Sequence, residues 1–235
     1  MARFRIIAGP NGSGKSTLVQ RIANDVNIGH LLNADTIQQV MRQSPLLDFS
    51  EYGLIVSQSE WSRFCNAHSM QALAACLSGS RVSDNLLVFD KEPQSYDTAV
   101  IVDFLREKLT AAGATFSLET VFSHPSKLEA IEAANEAGYR TYLYFVATAS
   151  PELCIQRVIQ RAHTGGHDVP HEKIRKRYAR ALDQIIPAIR LTHRAYIFDN
   201  SETMTLLAEV TPDKQLSLKV ERVPEWFEAN VLNRL

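Results

Sequence analysis

The chain has 235 residues, of which 22% are charged, and a net charge of −1 at pH 7. That length fits one large α/β domain, and the near-zero charge provides no general field for binding nucleic acid or a membrane. Three cysteines without a Cys-x-x-Cys pair indicate neither a disulfide framework nor a zinc site. The apolar run before Gly9 is too short for a signal-peptide core, and no segment reaches the length of a membrane span. We therefore expect a cytoplasmic protein with a single domain over residues 1–235 and no nucleic-acid or membrane partner.

A strand, a glycine-rich loop and a helix open the chain. Residues 3–8 are mostly apolar and end at Gly9, which predicts a short first strand. Beyond the loop, apolar residues recur at helical spacing from Leu18 to Val26. Residues 30–35 then predict a second short strand that ends at Asp35, where the next helix starts.

The rest of the chain alternates between helices and strands. One long helix is predicted from Ile174 to Ile189, because apolar residues recur at spacings of three and four. Residues 86–90 are either a strand or an apolar turn into the next helix. The other strands are predicted at 115–121, 140–147, 195–199, 204–210 and 216–221, and the other helices at 59–77, 95–112, 126–137, 150–162 and from Pro224.

This alternation is typical of a mostly parallel sheet that helices cover on both faces. The fold class is therefore α/β, a three-layer sandwich with a sheet of about five strands. Two regions are expected outside this core: an inserted helical segment at 41–94 and a C-terminal appendage at 204–235. Ligands of such sheets bind at the carboxyl ends of the strands.

The glycine-rich loop has the pattern of a P-loop, Gly-x-x-x-x-Gly-Lys-Ser. Its glycines let the backbone N–H groups surround phosphate, Lys15 reaches the β- and γ-phosphates, and the Ser16 hydroxyl is suited to Mg²⁺. The strand before it and the helix after it are the context that this motif requires. The sequence thus predicts nucleotide binding by Gly9, Pro10, Asn11, Gly12, Ser13, Gly14, Lys15, Ser16 and Thr17.

Asp35 is the candidate for a general base. It lies at the predicted carboxyl end of the strand after the P-loop, where an acceptor hydroxyl would meet the γ-phosphate. The alternative is that Asp35 only caps the helix that follows.

Two acidic residues compete for the metal side of the site. Glu119 ends an otherwise apolar strand, and a carboxylate in such a position needs a partner. Asp90 also follows an apolar run, but Lys91, Glu92 and Pro93 come directly after it and suggest a turn. We favour Glu119 as a ligand of Mg²⁺ together with Ser16; an exposed strand end is the alternative.

A cluster of basic residues surrounds two consecutive glycines. Arg157 and Arg161 share a helix face, Gly165 and Gly166 follow, and Arg175 lies in the next basic helix. Such an arrangement is typical of a lid, here 161–175, that closes over a transferred phosphoryl group. Each of these charges alone could equally be part of a solvated helix face. The histidines at 163, 167 and 171 fit surface polarity as well as metal binding.

Taken together, these motifs resemble the zeta-toxin-like P-loop kinases, and most closely their short chromosomally encoded relatives. The resemblance covers most of residues 3–201. It is carried by the P-loop and by the segments Asn-Ala-Asp-Thr-Ile (33–37), Leu-Glu-Thr (118–120), Gly-Gly-His-Asp-Val-Pro (165–170), Arg-Tyr-x-Arg-x-Leu (177–182) and Asp-Asn-Ser (199–201).

The resemblance implies an adenylate-kinase-like core, ATP as the phosphoryl donor, Mg²⁺, and an antitoxin-like protein as a possible partner. In the characterised toxins the acceptor is the 3′-hydroxyl of a UDP-N-acetylamino sugar. Matched by position, Lys15 binds phosphate, Asp35 is the base and Glu119 is the acid at the strand end. Arg161 and Arg175 correspond to the arginines on the transferred phosphate, while Arg157, which we assign to nucleotide binding, and Arg177 are alternatives in another register.

The chain also departs from the family. Residues 41–94 form a longer segment than in the short relatives, and acceptor specificity is expected there. The acceptor could therefore be another hydroxylated metabolite, an antibiotic or a nucleotide. A regulatory protein that binds nucleotide without transferring phosphate is the alternative from a different functional class.

Overall fold

The computed structural model describes residues 1–67, 79–90, 92–164 and 168–235. The strands in chain order are β1 (Arg3–Ala8), β2 (His30–Leu32), β3 (Leu46–Asp48), β4 (Ser80–Ser83), β5 (Leu86–Phe89), β6 (Phe116–Thr120), β7 (Arg140–Ala147), β8 (Arg194–Asp199), β9 (Thr205–Val210) and β10 (Leu216–Leu218). The described helices are α1 (Lys15–Ala23), α2 (Ala34–Gln43), α3 (Gln58–Ala67), α4 (Ser95–Ala111), α5 (Ser126–Glu136), α6 (Pro151–His163), α7 (His171–Asp183), α8 (Ile185–Leu191) and α9 (Glu225–Asn230). Short 3₁₀ helices span Phe49–Tyr52 and Leu232–Arg234.

The chain divides into two compact units. The first contains Met1–Gly29 and Thr115–Leu235, and the second contains His30–Ala114. The second unit therefore begins at β2, before the segment 41–94 that we expected as an insertion.

The central sheet has seven strands, not the five that the sequence predicted. Six of them belong to the first unit, in the order β10-β9-β8-β7-β1-β6. β1 is parallel to both β6 and β7, and β7 is parallel to β8, whereas β9 and β10 continue the sheet as an antiparallel hairpin. The predicted hairpin was thus correct, but it joins the sheet beside β8, where it pairs backbone groups that an edge strand leaves open.

The parallel strands are apolar because helices cover both of their faces. All residues of β1 after Arg3 are buried, and β7 is buried from Leu143 to Ala147. α6 begins as the sequence predicted, since the Ser150 hydroxyl accepts a hydrogen bond from the Leu153 N–H and Pro151 occupies the first helical position.

The long helix predicted from Ile174 to Ile189 is two helices. α7 ends at Asp183 and α8 begins at Ile185. Pro187 accounts for the break, because it has no N–H to donate and its ring would clash with the carbonyl four residues earlier.

The second unit contains a small antiparallel sheet in the order β3-β5-β4. The expectation that 41–94 is helical was therefore wrong for these three strands. Residues 86–90 do contain a strand, and the two-residue turn Asp84-Asn85 joins it to β4 with φ values of 52° and 65°. Asp and Asn tolerate this left-handed conformation, so the turn is of the hairpin type that suits twisted strands. Part of the predicted helix 59–77 lies outside the described residues; α3 forms its described part.

An aromatic cluster holds this unit together. The ring of Phe104 on α4 lies 5.0 Å from that of Trp61 on α3 and 5.7 Å from that of Phe49. All three side chains are at most 2% exposed. None of the described helices is long and apolar enough to span a membrane.

Asn85 provides a test of the hairpin. Its side chain accepts a hydrogen bond from the Val56 N–H and donates one to the Leu54 carbonyl, both at 2.9 Å. We expect Asn85→Ala to lower the free energy of unfolding by about 2–4 kcal/mol, because two hydrogen bonds and a residue suited to positive φ are lost. Asp84→Ala should cost only about 1 kcal/mol, since it alters the turn and not these bonds. Urea denaturation measures both, and equal losses for the two variants would contradict the assignment.

Candidate functional site

The glycine-rich loop connects β1 to α1 and lies against the backbone of neighbouring elements. Gly12 has a φ of 76°, and a Cβ there would lie 2.4 Å from the carbonyl oxygen of Cys154 on α6. A Cβ on Gly9 would lie 2.0 Å from the carbonyl oxygen of Val146 on β7. Both distances are far below van der Waals contact, so only glycine fits at these positions.

Lys15 and Ser16 lie in the first turn of α1. The Lys15 ammonium donates a hydrogen bond to the carbonyl oxygen of Pro10, 2.9 Å away, so its side chain lies back over the loop. The Ser16 hydroxyl donates a hydrogen bond to Oε1 of Glu119 at 2.8 Å. Ser16 and Glu119 are the two residues predicted to bind Mg²⁺, and the structure brings their side chains together.

The position of Glu119 follows from the register of the sheet. It is paired with Ile7, two residues before the loop begins. Ser117 lies two residues before Glu119 on β6, so its side chain points to the same face of the sheet. The Ser117 hydroxyl donates a hydrogen bond to the carbonyl oxygen of Ile28, a residue that follows α1. Glu119 thus reaches Ser16 because β6 presents alternate side chains toward the α1 side of the sheet.

Asp90 has a different environment. Its carboxylate forms an exposed ion pair with Arg81 at 2.6 Å, within the second unit. Of the two acidic residues that the sequence proposed for the metal side, Glu119 is the one in contact with the P-loop serine. A hydroxyl and a carboxylate are the hard oxygen ligands that Mg²⁺ prefers, so this pair fits the ion. The described residues contain no group of three or more His, Cys, Asp or Glu residues that could hold a metal without further ligands.

The loop that follows β8 contacts the P-loop. The Asn200 amide donates to the Ser13 carbonyl oxygen at 2.8 Å. Arg157 on α6 donates to the carbonyl oxygens of Asn200 and Ser201, at 2.7 and 3.1 Å. In the structure Arg157, which is predicted to bind nucleotide, fixes a loop that touches the P-loop.

The C-terminal part of the chain holds the same loop. The carboxylate of Asp199 accepts hydrogen bonds from the Ser201 hydroxyl, at 2.8 Å, and from the indole N–H of Trp226 on α9, at 2.7 Å. Sequence reasoning did not assign a role to Asn200 or Trp226. The Asp-Asn-Ser segment after a strand was the available signal for Asn200, but Trp226 had none because its partner is 27 residues away.

The basic residues of the predicted lid differ in their contacts. Arg175 forms ion pairs with Glu172 at 2.9 Å and with Glu152 at 3.3 Å, and hydrogen bonding to Glu152 raises its pKa further. Arg177 donates a hydrogen bond to the side-chain oxygen of Asn11 in the P-loop at 3.4 Å. Arg161 lies in the last turn of α6. Residues 165–167, which include the predicted Gly-Gly hinge, lie outside the described residues.

α7, which carries Arg175 and Arg177, is anchored beside the sheet. The hydroxyl of Tyr178 donates a hydrogen bond of 2.6 Å to the carbonyl oxygen of Thr148, just after β7. Burial raises the pKa of Tyr178 well above its usual value, so the hydroxyl stays protonated as this donor. The anchor fixes the middle of α7 next to the end of β7.

Asp35 belongs to the second unit, in the first turn of α2. The helix cap is Asn33, whose Oδ1 accepts from the N–H groups of Asp35 and Thr36 at 2.9 and 3.2 Å. The alternative that Asp35 itself caps the helix is therefore wrong. The Asp35 side chain is exposed, and no hydrogen bond or ion pair engages its carboxylate within the described parts of the chain.

A chain of the complex AvrRxo1-ORF1:AvrRxo1-ORF2 determined with ATP has a TM-score of 0.62 and 14% identity, with 100% of this chain and 65% of that chain covered. The same complex with sulphate ions gives a TM-score of 0.61 and 15% identity, again with 100% and 65% coverage. The present chain therefore spans less than two thirds of the length of these structures.

A structure of the PezAT chromosomal toxin–antitoxin system of Streptococcus pneumoniae matches with a TM-score of 0.55 and 13% identity, covering 89% of this chain and 72% of that chain. No curated protein sequence gives a match. The shared fold confirms the resemblance to zeta-toxin-like P-loop kinases at the level of the architecture, including the mostly parallel sheet flanked by helices. Residues 5–184 match the AAA_33 family, described as an AAA domain, and the chain therefore belongs to this family of P-loop nucleotide-binding domains.

Proposed function

We propose that the protein is an ATP-dependent kinase that transfers the γ-phosphoryl group to a hydroxyl of a small acceptor. The observation that carries this proposal is the hydrogen bond between Ser16 and Glu119 at the first turn of the P-loop helix. It joins the predicted metal-binding hydroxyl to a carboxylate from the neighbouring strand. The AvrRxo1-ORF1:AvrRxo1-ORF2 structure determined with ATP adds support for ATP as the nucleotide.

The donor side of the reaction uses residues of the first unit. The backbone N–H groups of the loop and the start of α1 bind the phosphates, and the Lys15 ammonium contributes positive charge to the β- and γ-phosphates. Ser16 and Glu119 would hold Mg²⁺, which when bound offsets the negative charge of the phosphate oxygens. These groups are already in place when the acceptor arrives, and they lower the barrier by stabilising the charge that develops in the transition state.

Arginines from α6 and α7 surround the transferred group in this proposal. Arg161 and Arg175 are the pair that the family resemblance implies, with Arg157 and Arg177 as the other register. The Asn11 contact supports Arg177, because it brings a guanidinium to the P-loop itself. The two carboxylates beside Arg175 support a role in joining α7 to α6.

Asp35 is the general base on the acceptor side. Asn33 performs the capping of α2, so the Asp35 carboxylate is not required for that task. It can therefore accept the proton of an acceptor hydroxyl as the oxygen attacks the γ-phosphorus.

The resemblance to the zeta toxins implies a UDP-N-acetylamino sugar as acceptor, and another small hydroxylated metabolite or an antibiotic is the alternative. We also propose a protein partner of the antitoxin kind. The support is that the AvrRxo1 chains are described in a two-protein complex and PezAT is a toxin–antitoxin system.

Phosphoryl transfer from γ-labelled ATP with Mg²⁺ tests the kinase activity directly. The acceptors are UDP-N-acetylglucosamine and a panel of sugars, nucleosides and hydroxylated amines. We expect a labelled product with at least one acceptor and slow ATP hydrolysis without any. Fast hydrolysis that no acceptor changes would contradict the proposal, and tight ATP binding with no product would favour a regulatory nucleotide-binding protein.

Asp35→Asn tests the base. We expect the transfer rate to fall by about 10²- to 10⁴-fold, because the amide cannot accept the proton, while the affinity for ATP is unchanged. Asp25→Asn, at another exposed aspartate, is the matched control and should transfer at the normal rate. Equal rates for the two variants would remove Asp35 from the mechanism.

Glu119→Gln and Asp90→Asn distinguish the two acidic candidates. We expect Glu119→Gln to weaken ATP binding in the presence of Mg²⁺ by about tenfold or more, because a neutral amide is a poorer partner for the ion. Asp90→Asn should leave the affinity unchanged. Titration calorimetry with Mg²⁺ and with EDTA provides the comparison, since only the Mg²⁺ series should separate the variants.

Arg177→Ala and Arg175→Ala distinguish the two lid registers. We expect Arg177→Ala to lower kcat by about 10²-fold, the usual effect of removing a group that stabilises developing charge. Arg175→Ala should cost less than about fivefold, because it removes exposed ion pairs of small individual value. Steady-state kinetics measure kcat for both variants. A larger loss in Arg175→Ala than in Arg177→Ala would instead support Arg161 and Arg175 as the arginines on the transferred phosphate.

A further inference from the structure

A cavity of about 370 Å³ lies entirely within the second unit, between α2, β3 and the 3₁₀ helix after β3. Its walls are mainly aliphatic and include Ile37, Val40, Met41 and Leu47. Packing within folded proteins leaves few voids larger than a water molecule, whereas small-molecule sites measure about 300–1,000 Å³. The size of this cavity is therefore that of a binding site.

Apolar side chains remain exposed at the cavity. Val40 is 57% exposed and Leu46 is 38% exposed, and both line it. Aliphatic surface in contact with water is unfavourable, and an apolar ligand that covers it would be stabilised by its removal from water. The lining thus favours a ligand with a hydrocarbon or aromatic portion.

The lining of the cavity carries negative charge. Asp48 accepts a hydrogen bond from the Ser50 N–H at 2.7 Å and another from the Ser50 hydroxyl, which lower its pKa and keep the carboxylate ionised at neutral pH. Glu51, the second acidic residue of the lining, belongs to the 3₁₀ helix Phe49–Tyr52 that Asp48 caps. The lining residues that the structure describes include no Lys, Arg or His. His30 contacts the ring of Tyr52 at 6.0 Å between centroids but is not among the lining residues.

Uncharged polar groups complete the lining. Asn33 uses its Oδ1 to cap α2, which leaves its amide N–H groups for a ligand. Thr36 and Tyr52, each of which carries a hydroxyl, also line the cavity. A few polar groups on a largely apolar wall are what orients a ligand in a small-molecule site.

We propose that this cavity binds an amphipathic, hydroxylated molecule that is neutral or carries an ammonium group, and that it selects the acceptor of the proposed kinase. Only the statement that the cavity selects the acceptor rests on the proposed function. A nucleoside diphosphate sugar is disfavoured, because its anionic phosphates would meet two carboxylates without a cation to offset the repulsion.

The position of Asp35 defines how such an acceptor lies. Asp35 does not line the cavity, but Asn33 and Thr36 do, and all three belong to the cap and first turn of α2. In this proposal the apolar portion of the acceptor fills the cavity, and the reacting hydroxyl lies at the N-terminus of α2, beside Asp35.

Titration calorimetry without ATP tests the ligand class independently of catalysis. The probes are tyramine and 3-(4-hydroxyphenyl)propionate, which share a phenol and differ in the sign of their charge, and UDP-N-acetylglucosamine. We expect tyramine to bind at least about tenfold more tightly than the propionate, with the difference reduced at high salt. UDP-N-acetylglucosamine should not compete with tyramine.

Two variants and matched controls locate the binding. Val40→Trp places a large side chain at an exposed lining position, and Gln39→Trp makes the same change next to it at an exposed position that does not line the cavity. Glu51→Lys reverses one charge of the cavity, with Glu107→Lys on α4 as its control. We expect tyramine affinity to fall by about tenfold or more in Val40→Trp and Glu51→Lys only.

The outcomes separate this inference from the proposed function. Binding of the propionate as tight as that of tyramine, or tyramine affinity that is unchanged in Val40→Trp, overturns the assignment of the cavity. Tyramine binding that is lost in Val40→Trp supports it, even if no acceptor is phosphorylated; that absence would instead count against the kinase. Phosphoryl transfer to hydroxylated amines that is lost in Val40→Trp and kept in Gln39→Trp supports both.

Discussion

The arrangement of the P-loop depends on the position of β1 between two parallel strands. β6 and β7 flank it, and their register pairs Ile7 with Glu119 and Ala8 with Phe145. The chain then leaves the sheet at Gly9, at the edge where all three strands end. A shift of β6 by one residue would turn Glu119 to the opposite face, away from Ser16. The chemistry of the loop therefore relies on main-chain pairing as much as on the motif itself.

Much of this fold could be predicted from local sequence patterns. The apolar run of β7, the Ser150-Pro151 start of α6 and the strand–loop–helix around Lys15 are short-range signals, and each was correct. The errors arose where long-range pairing decides the outcome. The hairpin of β9 and β10 was recognised locally, but its place beside β8 was not, and so the strands were undercounted. The Asp84-Asn85 turn was overlooked because positive φ at two consecutive residues leaves only a weak trace in composition.

The site was less predictable than the fold, for a physical reason. Motif spacing selected Lys15 and Ser16, because a P-loop constrains which residue types can follow one another, and Glu119 was selected because it ends an otherwise apolar strand. It could not choose between Arg175 and Arg177, which lie two apart on α7, since that choice depends on how the helix is rotated. The buried face of α7, which includes Ile174 and Leu182, and the hydrogen bond from Tyr178 set this rotation. Likewise, only the Asn33 hydrogen bonds reveal that Asp35 is not needed as a helix cap.

The indole of Trp226 connects the last helix to the Asp199 loop, and that loop connects to Ser13 through Asn200. This connection has a consequence for synthesis on the ribosome. Every strand of the central sheet has been translated before residue 226 leaves the exit tunnel. At that stage the loop at 199–201, which contacts the P-loop, still lacks its hydrogen bond from Trp226. The nucleotide site is thus completed late, after the sheet can already have formed. A nascent chain would gain its full affinity for nucleotide only after the segment that carries Trp226 has left the exit tunnel.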